Sequence, residues 1–182
     1  EDSREGIEMI LVYLNRASEL IRSFKMVAVD QVSENRRTFN FKGYIDEVLL
    51  SLRPKLKKTG HQVEVVCDPG LVIDSYPGAF SQILTNFIIN SLVHGFDPNT
   101  PGGLLAISFE MGPAGHLVAT IRDNGRGLAP GQQHEAGGPA SIGLSNLERR
   151  LAVYHGDEAS VSWQSPAEGG TVVVLEIPEA RA

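Results

Sequence analysis

The sequence of 182 residues contains a single cysteine, Cys67, so an internal disulfide is excluded. It also lacks an apolar run of the ~18–20 residues that a membrane-spanning helix needs, and it shows no signal-peptide pattern. Basic blocks are absent and the net charge is −6, so a nucleic-acid partner is not indicated. These absences predict a cytoplasmic protein in a reducing compartment, with Cys67 as a small buried hydrophobe. A membrane span would have to lie outside these residues.

The remaining composition, 42% hydrophobic and 21% charged residues, is typical of one medium-sized globular domain with an appendage. The appendage is a long, coiled-coil-like helix predicted over residues 3–29, followed by a polar linker that ends at residue 37. Apolar residues recur along this helix at alternating spacings of three and four, which makes a seam for a partner helix. The alternative is a helix that folds back on its own domain. The seam residues are Ile7, Leu11, Leu14, Ser18, Ile21, Phe24 and Ala28.

Beyond the linker, the pattern of elements predicts an α/β two-layer sandwich, with a mixed sheet of about five main strands covered on one face by three helices. Helices are predicted over residues 42–58, from Pro77 to residue 95, and over 141–155; Pro54 is expected to kink or shorten the first. Residues 128–140 lack periodicity, which is typical of a mobile loop. Strands are predicted over residues 38–41, 62–67, 71–76, 104–111, 116–122, 159–164 and 171–177.

The most informative stretch is the helix that begins at Pro77, because one polar line crosses its apolar sequence. Asparagine is unfavourable inside a helix, since its amide competes for backbone hydrogen bonds. Two readings are open: the wetted stripe of an amphipathic helix, or a functional face. Four-residue spacing puts the polar side chains on one face. They are Gln82, Asn86, Asn90 and His94.

Two glycine-rich segments downstream favour the functional reading. Asp123-Asn124-Gly125-Arg126-Gly127 follows an apolar strand, and residues 137–144, ending in Gly143 and Leu144, open a helical pattern. A carboxylate at a strand end, a tight Gly-x-Gly turn and a glycine-rich helix start are suitable parts of a nucleotide cradle. Each motif is weak alone, but their order and spacing together are a strong signal.

In this order the motifs resemble the ATP-binding domain (Bergerat fold, GHKL superfamily) shared by sensor histidine kinases, type II topoisomerases, Hsp90 chaperones and MutL-type repair proteins. The resemblance is strongest to the bacterial histidine kinases. Residues 86–94 match their N box, Asp123-x-Gly125-x-Gly127 matches their G1 box, and Gly143-Leu144 matches the end of their G2 box. The resemblance covers residues 7–178, nearly the whole chain.

The resemblance implies ATP and Mg²⁺ as cofactors, with Asn90 as the metal ligand. Asn86 stands where topoisomerases and chaperones carry a catalytic glutamate; an amide cannot act as a base, which favours phosphoryl transfer over hydrolysis. Asp123 would accept from the adenine amino group, and glycines beside it would allow positive φ and a close approach to the base. Arg126 is expected to face solvent. The implied catalytic and cofactor-binding residues are Asn86, Asn90, His94, Asp123, Gly125, Gly127, Gly143 and Leu144.

Four features depart from the kinase pattern. Ser141 replaces the first glycine of the G2 box, Val93 replaces a common N-box lysine, and the short lid lacks an F box. None of the five histidines lies in the long N-terminal helix. By resemblance, residues 1–30 are the second helix of the dimerisation and phosphotransfer hairpin, residues 31–37 a linker and residues 38–182 the catalytic domain. The first hairpin helix, with the phosphoacceptor histidine, is expected to lie outside these residues.

The sequence therefore predicts the catalytic, ATP-binding part of a sensor histidine kinase in a two-component system. It would transfer the γ-phosphoryl group to a histidine, for relay to an aspartate on the receiver domain of a response regulator. A homodimer through the N-terminal helix is implied, and the fragment alone is expected to bind ATP without phosphorylating itself. The alternatives are a degenerate module that binds a nucleotide or a partner kinase, and an ATPase of the chaperone or topoisomerase kind. An anti-sigma serine kinase shares the site but is a poor match for the long helix.

Overall fold

A five-stranded mixed sheet and a small two-stranded sheet make up the β structure of the computed structural model, which describes residues 2–32, 35–96, 102–112, 115–127, 149 and 151–178. Residues 151–155 are also helical. The elements are α1 (Asp2–Val32), β1 (Arg37–Asn40), α2 (Phe41–Thr59), β2 (Gln62–Val66), β3 (Val72–Ser75), α3 (Pro77–Asn90), a π-helical turn (Ser91–Gly95), β4 (Leu104–Met111), β5 (His116–Asp123), a 3₁₀ turn (Gly156–Glu158), β6 (Ser160–Gln164) and β7 (Thr171–Pro178).

The large sheet has the order β2-β4-β5-β7-β6, with β2 parallel to β4 and all other pairs antiparallel. Alternate residues of β4, β5 and β7 are buried, which is the period-two pattern of a sheet with one covered face. Phe41 of α2 stacks edge-on against both Phe80 of α3 and Phe109 of β4, at centroid distances of 5.0 and 4.8 Å. The helices therefore share one core with the sheet, and the predicted two-layer α/β fold is confirmed.

Local signals explain where the middle helices begin and end. The Asn40 side chain accepts a hydrogen bond from the Gly43 N–H at 2.7 Å and caps α2. Gly60 ends α2 in a left-handed conformation, with φ of 67°. The helix continues past Pro54, so this residue does not shorten it, and the kink stays a prediction. Pro77 lies at the start of α3, as predicted.

Helix α1 extends to Val32, so residues 31 and 32 of the predicted linker are helical. Its last turns pack against α2 and α3. Val27 and Ser23 are buried there, and the Ser23 hydroxyl donates to the Glu47 carboxylate of α2. Most of the predicted seam lies on a different face and is exposed: Phe24 is 65% accessible and Ile21 67%, whereas Ala28 is half-buried. The fold-back alternative thus holds for the C-terminal turns only, and the seam keeps an apolar surface for a partner.

Two further expectations concern Cys67 and the absence of a membrane-spanning helix. Cys67 is half-buried and packs against the core, since it follows β2, an edge strand of the sheet, so the expectation of a small buried hydrophobe is met only in part. Partial burial raises the pKa of the Cys67 thiol. Within the described ranges, no helix is long and apolar enough to cross a membrane. The predicted loop 128–140 and the first eight residues of the predicted helix 141–155 lie outside the described residues.

His155 makes the stability of the fold sensitive to acid. Its ring lies edge-on to Tyr76 at 5.9 Å, and among the described residues nothing hydrogen-bonds to its buried Nε2. Burial, and then the positive charge of Arg36 (itself paired with Asp74 at 3.0 Å), lower the pKa of His155. The unfolded chain has a histidine pKa of about 6.5, so it binds the proton more readily than the folded protein does.

The contribution of His155 to stability is therefore complete above the unfolded pKa and is lost as the pH falls below about 6.5 toward the lower, folded value. We expect His155→Phe to remove this part of the acid-induced loss. The measurement is the free energy of unfolding in urea at a series of pH values between about 7.5 and 5. Parallel pH profiles for the two proteins would show that His155 does not contribute to this loss.

Candidate functional site

The predicted polar line lies on α3 and on the π turn that follows it. Asn86 and Asn90 are exposed, whereas the apolar side chains of the same helix are buried except for Ile89, which is half-buried. The helix does not continue as an α-helix after Asn90: the Phe96 N–H donates to the Ser91 carbonyl at 3.1 Å, an i→i+5 bond. His94, which is also exposed, lies within this wider turn. It therefore does not follow Asn90 with the α-helical spacing on which the shared face was predicted.

The central side chain of the site is Asp123, the last residue of β5 and only 5% exposed. Its Oδ1 accepts hydrogen bonds from the Gly125 N–H at 2.9 Å and from the Thr171 N–H at 3.2 Å. Its Oδ2 accepts from the Ser91 hydroxyl at 3.3 Å. Ser91 directly follows Asn90, so the structure brings the N box and the G1 box into contact.

The backbone of the G1 box approaches Gly95, the residue directly after the N box, so closely that only glycine fits at position 125. A Cβ added to Gly125 would lie 2.2 Å from the Gly95 carbonyl oxygen. Next to this contact, the Arg126 N–H donates to the same oxygen at 2.8 Å. Gly127 has a φ of 74°, but Gly125 does not have a positive φ, so the predicted reason for glycine applies at Gly125 only as close approach.

Arg126 is exposed, but its guanidinium also donates to the Phe96 carbonyl at 3.1 Å, so the expectation that it simply faces solvent was incomplete. Together with the main-chain bond to Gly95, this side chain fastens the G1 loop to the residue after the π turn. Both the main chain and the side chain of Arg126 therefore hold the G1 loop in place.

Several residues that hold the site in place were not predicted. The Asn124 side chain accepts from the Leu104 N–H at 2.7 Å, which ties the G1 loop to the start of β4. His61 accepts from the Gly103 N–H at 3.1 Å and stacks on Phe96 at 4.3 Å. Their partners are 20 to 42 residues away in sequence. No periodicity or motif signals contacts at such separations.

The donor groups determine what kind of metal would fit. Among the described residues, no cluster of three or more His, Cys, Asp or Glu side chains could hold a metal ion. A tightly ligated transition metal is therefore not supported there. The exposed Asn90 amide suits a hard ion such as Mg²⁺, which uses one or two protein oxygens together with phosphate oxygens and water. Gly143 and Leu144, the predicted phosphate contacts, lie outside the described residues, as does Ser141.

Comparison with protein families gives one match that covers more than half of the chain. A profile of the family "Histidine kinase-, DNA gyrase B-, and HSP90-like ATPase" matches residues 76–181. This range contains the Asn line on α3, Asp123 and the glycine-rich segments.

Two curated relatives match over different lengths. The sensor histidine kinase PdtaS of Mycobacterium tuberculosis is 28% identical over 184 residues, which cover 97% of this chain and 34% of that protein. An anti-sigma F factor of Heyndrickxia coagulans is 28% identical over 97 residues, which cover 52% of this chain and 64% of that protein. The chain thus spans about a third of the length of PdtaS.

Solved structures of histidine kinases have the same fold. The histidine kinase AdeS of Acinetobacter baumannii matches with a TM-score of 0.63 and 18% identity, over all of this chain and 86% of that chain. The ATP-binding domain of PrrB from Mycobacterium tuberculosis matches with a TM-score of 0.61 and 22% identity, over 81% of this chain and 99% of that one. The match to AdeS includes α1 as well as the sheet.

Proposed function

Because the chain belongs to the family of histidine kinase-, DNA gyrase B- and HSP90-like ATPases, we propose that it is the ATP-binding catalytic part of a sensor histidine kinase. The observation that carries the proposal is the environment of Asp123. This carboxylate is buried and is fixed by two main-chain N–H groups on Oδ1. Among the described residues its Oδ2 accepts only from the Ser91 hydroxyl, which leaves a lone pair there for one more donor. The exocyclic amino group of adenine is such a donor, whereas the guanine carbonyl oxygen at the same place would be repelled.

The triphosphate would extend from this base pocket toward the exposed polar face of α3. Asn86, Asn90 and His94 would contact it there, with Gly143 and Leu144 at the start of the next predicted helix. Mg²⁺, when bound with ATP, would neutralise phosphate charge, and Asn90 would hold it through its amide oxygen. Gly125 and Gly127 would shape the wall next to the base.

The reaction follows from what Asn86 cannot do. An amide has no basic atom that could take a proton from water, so this position does not activate water for hydrolysis. The domain would instead position the γ-phosphoryl group for attack by a histidine supplied by another segment. The phosphoryl group would then pass to an aspartate of a response-regulator receiver domain, and phosphorylation by residues 1–182 alone is not expected.

The exposed seam of α1 supports a homodimer in which two copies of this helix pack together. Isolated helices do not leave large apolar side chains in water when a partner can cover them. The proposed organisation is a hairpin helix over residues 1–30, a linker over 31–37 and a catalytic domain over 38–182. Because α1 is helical to Val32, the effective linker is shorter than this division.

A second candidate is a non-catalytic module that binds nucleotide without transferring phosphate. One observation favours it: Val93, on the π turn, is 58% exposed at the position where kinases commonly carry a lysine. A valine cannot neutralise a phosphate. The two candidates differ in a phosphotransfer assay that supplies the missing hairpin helix, since only the kinase would form phosphohistidine.

Calorimetric titration with ATP, with and without Mg²⁺, tests the nucleotide site. We expect the wild-type chain to bind ATP more tightly with Mg²⁺, and Asn90→Ala to lose about tenfold in the magnesium-dependent affinity because one oxygen ligand is gone. Gln164→Ala removes an exposed amide on β6 and should bind like wild type. If the wild-type chain binds no ATP, it shares the fold of this family but not its nucleotide binding. Retention of full magnesium dependence in Asn90→Ala would remove Asn90 as the ligand.

A further inference from the structure

Ser91 is a buried hydroxyl at the junction of the two motifs. It is 8% exposed, and its Oγ lies 3.3 Å from Oδ2 of Asp123. Its backbone is fixed on both sides: its N–H donates into α3, and its carbonyl accepts the bond from Phe96 that closes the π turn. The position of its hydroxyl is therefore set by the helix and not by a flexible loop.

The two oxygens of Asp123 are in different environments. Oδ1 already accepts two main-chain hydrogen bonds, from Gly125 and Thr171. Oδ2 accepts only the Ser91 hydroxyl among the described residues. Beside Oδ2 lies Gly95, where an added Cβ would come no closer than 3.6 Å to that oxygen. Oδ2 is therefore the oxygen with a free lone pair among the described residues, and on its Gly95 side a methyl group would fit in ordinary van der Waals contact.

We infer that Ser91 is a positioning residue for recognition of the base: its hydroxyl donates to Asp123 Oδ2 and aims the free lone pair of that oxygen at the amino group of a 6-aminopurine. This inference rests on the proposed nucleotide site at Asp123. Without the hydroxyl, the described residues hold the carboxylate through Oδ1 alone, so it can rotate about that anchor. This rotation would weaken the hydrogen bond between Oδ2 and the amino group of the base, because the strength of a charged hydrogen bond depends on its direction.

The same hydroxyl sharpens selectivity against a 6-oxopurine. The carbonyl oxygen of inosine or guanine would face Oδ2, which has no proton to donate. Ser91 could turn its proton to that carbonyl only by leaving Oδ2 without its buried partner, which is costly. Neither Asp123 Oδ2 nor the Ser91 hydroxyl can therefore donate a hydrogen bond to the oxo group without a cost. A merely structural serine would not change the preference between the two nucleotides.

The test is calorimetric titration of the chain with ATP and with inosine triphosphate, together with urea unfolding of each variant. Ser91→Ala is expected to weaken ATP binding about tenfold, with little change for inosine triphosphate, so that the preference narrows. Ser91→Thr keeps the hydroxyl and should restore both the affinity and the preference. Ser81→Ala is the matched control: this buried serine of α3 donates to the Gly78 carbonyl at 3.0 Å and should bind like wild type.

A second comparison shows whether Ser91 acts through Asp123. In an Asp123→Asn background, Ser91→Ala should cost much less ATP affinity than in the wild-type background, since the two residues form one unit. Equal losses in both backgrounds, or wild-type ATP affinity in a folded Ser91→Ala protein, would overturn the inference while leaving the nucleotide site intact. If Ser91→Ala does not fold, Ser91→Cys, with its similar size and weak donor, takes its place. A wild-type chain that binds no ATP would overturn this inference together with the proposed function.

Discussion

Asp123→Asn is expected to weaken ATP binding by about a hundredfold or more while leaving the fold nearly as stable as before. The asparagine can direct its oxygen toward the Gly125 and Thr171 N–H groups and its NH₂ toward Ser91, whose hydroxyl can turn to accept. Every protein hydrogen bond is then replaced. The group that faces the base, however, has changed from an acceptor to a donor and meets the adenine amino group.

The reverse orientation of the amide does not rescue binding. It would offer its oxygen to the base but place its NH₂ against the two main-chain donors that now bind Oδ1. Two unsatisfied buried N–H groups cost more than the contact with the base returns. Inosine triphosphate, which carries an acceptor at that position, should therefore lose less affinity than ATP, or gain it.

Titration calorimetry with both nucleotides measures the effect, and urea unfolding shows that the fold is kept. Asp157→Asn is the matched control, because this acid is exposed on the 3₁₀ turn. Wild-type ATP affinity in Asp123→Asn would mean that this carboxylate does not contact the base. A fall in stability without a change in the ratio of the two nucleotides would assign Asp123 a purely structural role.

The elements of the fold were readable from the sequence because each depends on local chemistry. Alternation placed β4, β5 and β7 close to their observed bounds. Pro77 and the apolar run after it located the start of α3. Local chemistry alone, however, does not include tertiary packing, so predictions made from it can fail. Pro54 was expected to kink or shorten α2, yet the helix runs past it to Thr59, since most helical stability comes from tertiary packing.

The sequence predicted the motif residues of the candidate site but not the contacts between them, for a physical reason. Motif order located Asn90 and Asp123, because both belong to short sequence patterns. The contacts that join them depend on the three-dimensional path of the chain: Ser91 and Asp123 are 32 residues apart. The π turn that follows Asn90 has no recognisable sequence signal, and it shifts the spacing from which the position of His94 was predicted.

Helix α1 has two contact faces, and its sequence pattern predicted only one of them. The seam predicted a partner, but it did not reveal that Ser23 and Val27 on a neighbouring face would pack onto α2 and α3. A stripe with one serine in it is a weak hydrophobic signal. Its burial becomes understandable only when Glu47 of α2 is placed opposite Ser23.

A close backbone contact of the site leads to the other large effect: Gly125→Ala should destabilise the fold by about 3 kcal/mol and abolish ATP binding. The new Cβ would lie 2.2 Å from the Gly95 carbonyl oxygen and 3.0 Å from Asp123 Oδ1, and the first of these is a backbone atom that no side-chain rotation can move. The G1 loop must therefore separate from the π turn. This breaks the Arg126 N–H bond to Gly95 and displaces the carboxylate that we propose as the contact to the base.

Gly60→Ala separates the effect of this clash from the general cost of replacing a glycine. Gly60 has a φ of +67° and no atom within 4 Å of the added Cβ, so the substitution there is strained only in its backbone and should cost about 1 kcal/mol without affecting ATP binding. Gly125 has the opposite problem, an ordinary φ but no space. Urea unfolding and ATP titration of both variants distinguish the two causes. If Gly125→Ala is no less stable than Gly60→Ala and still binds ATP, the two motifs do not meet at this glycine, and the nucleotide pocket must be bounded elsewhere.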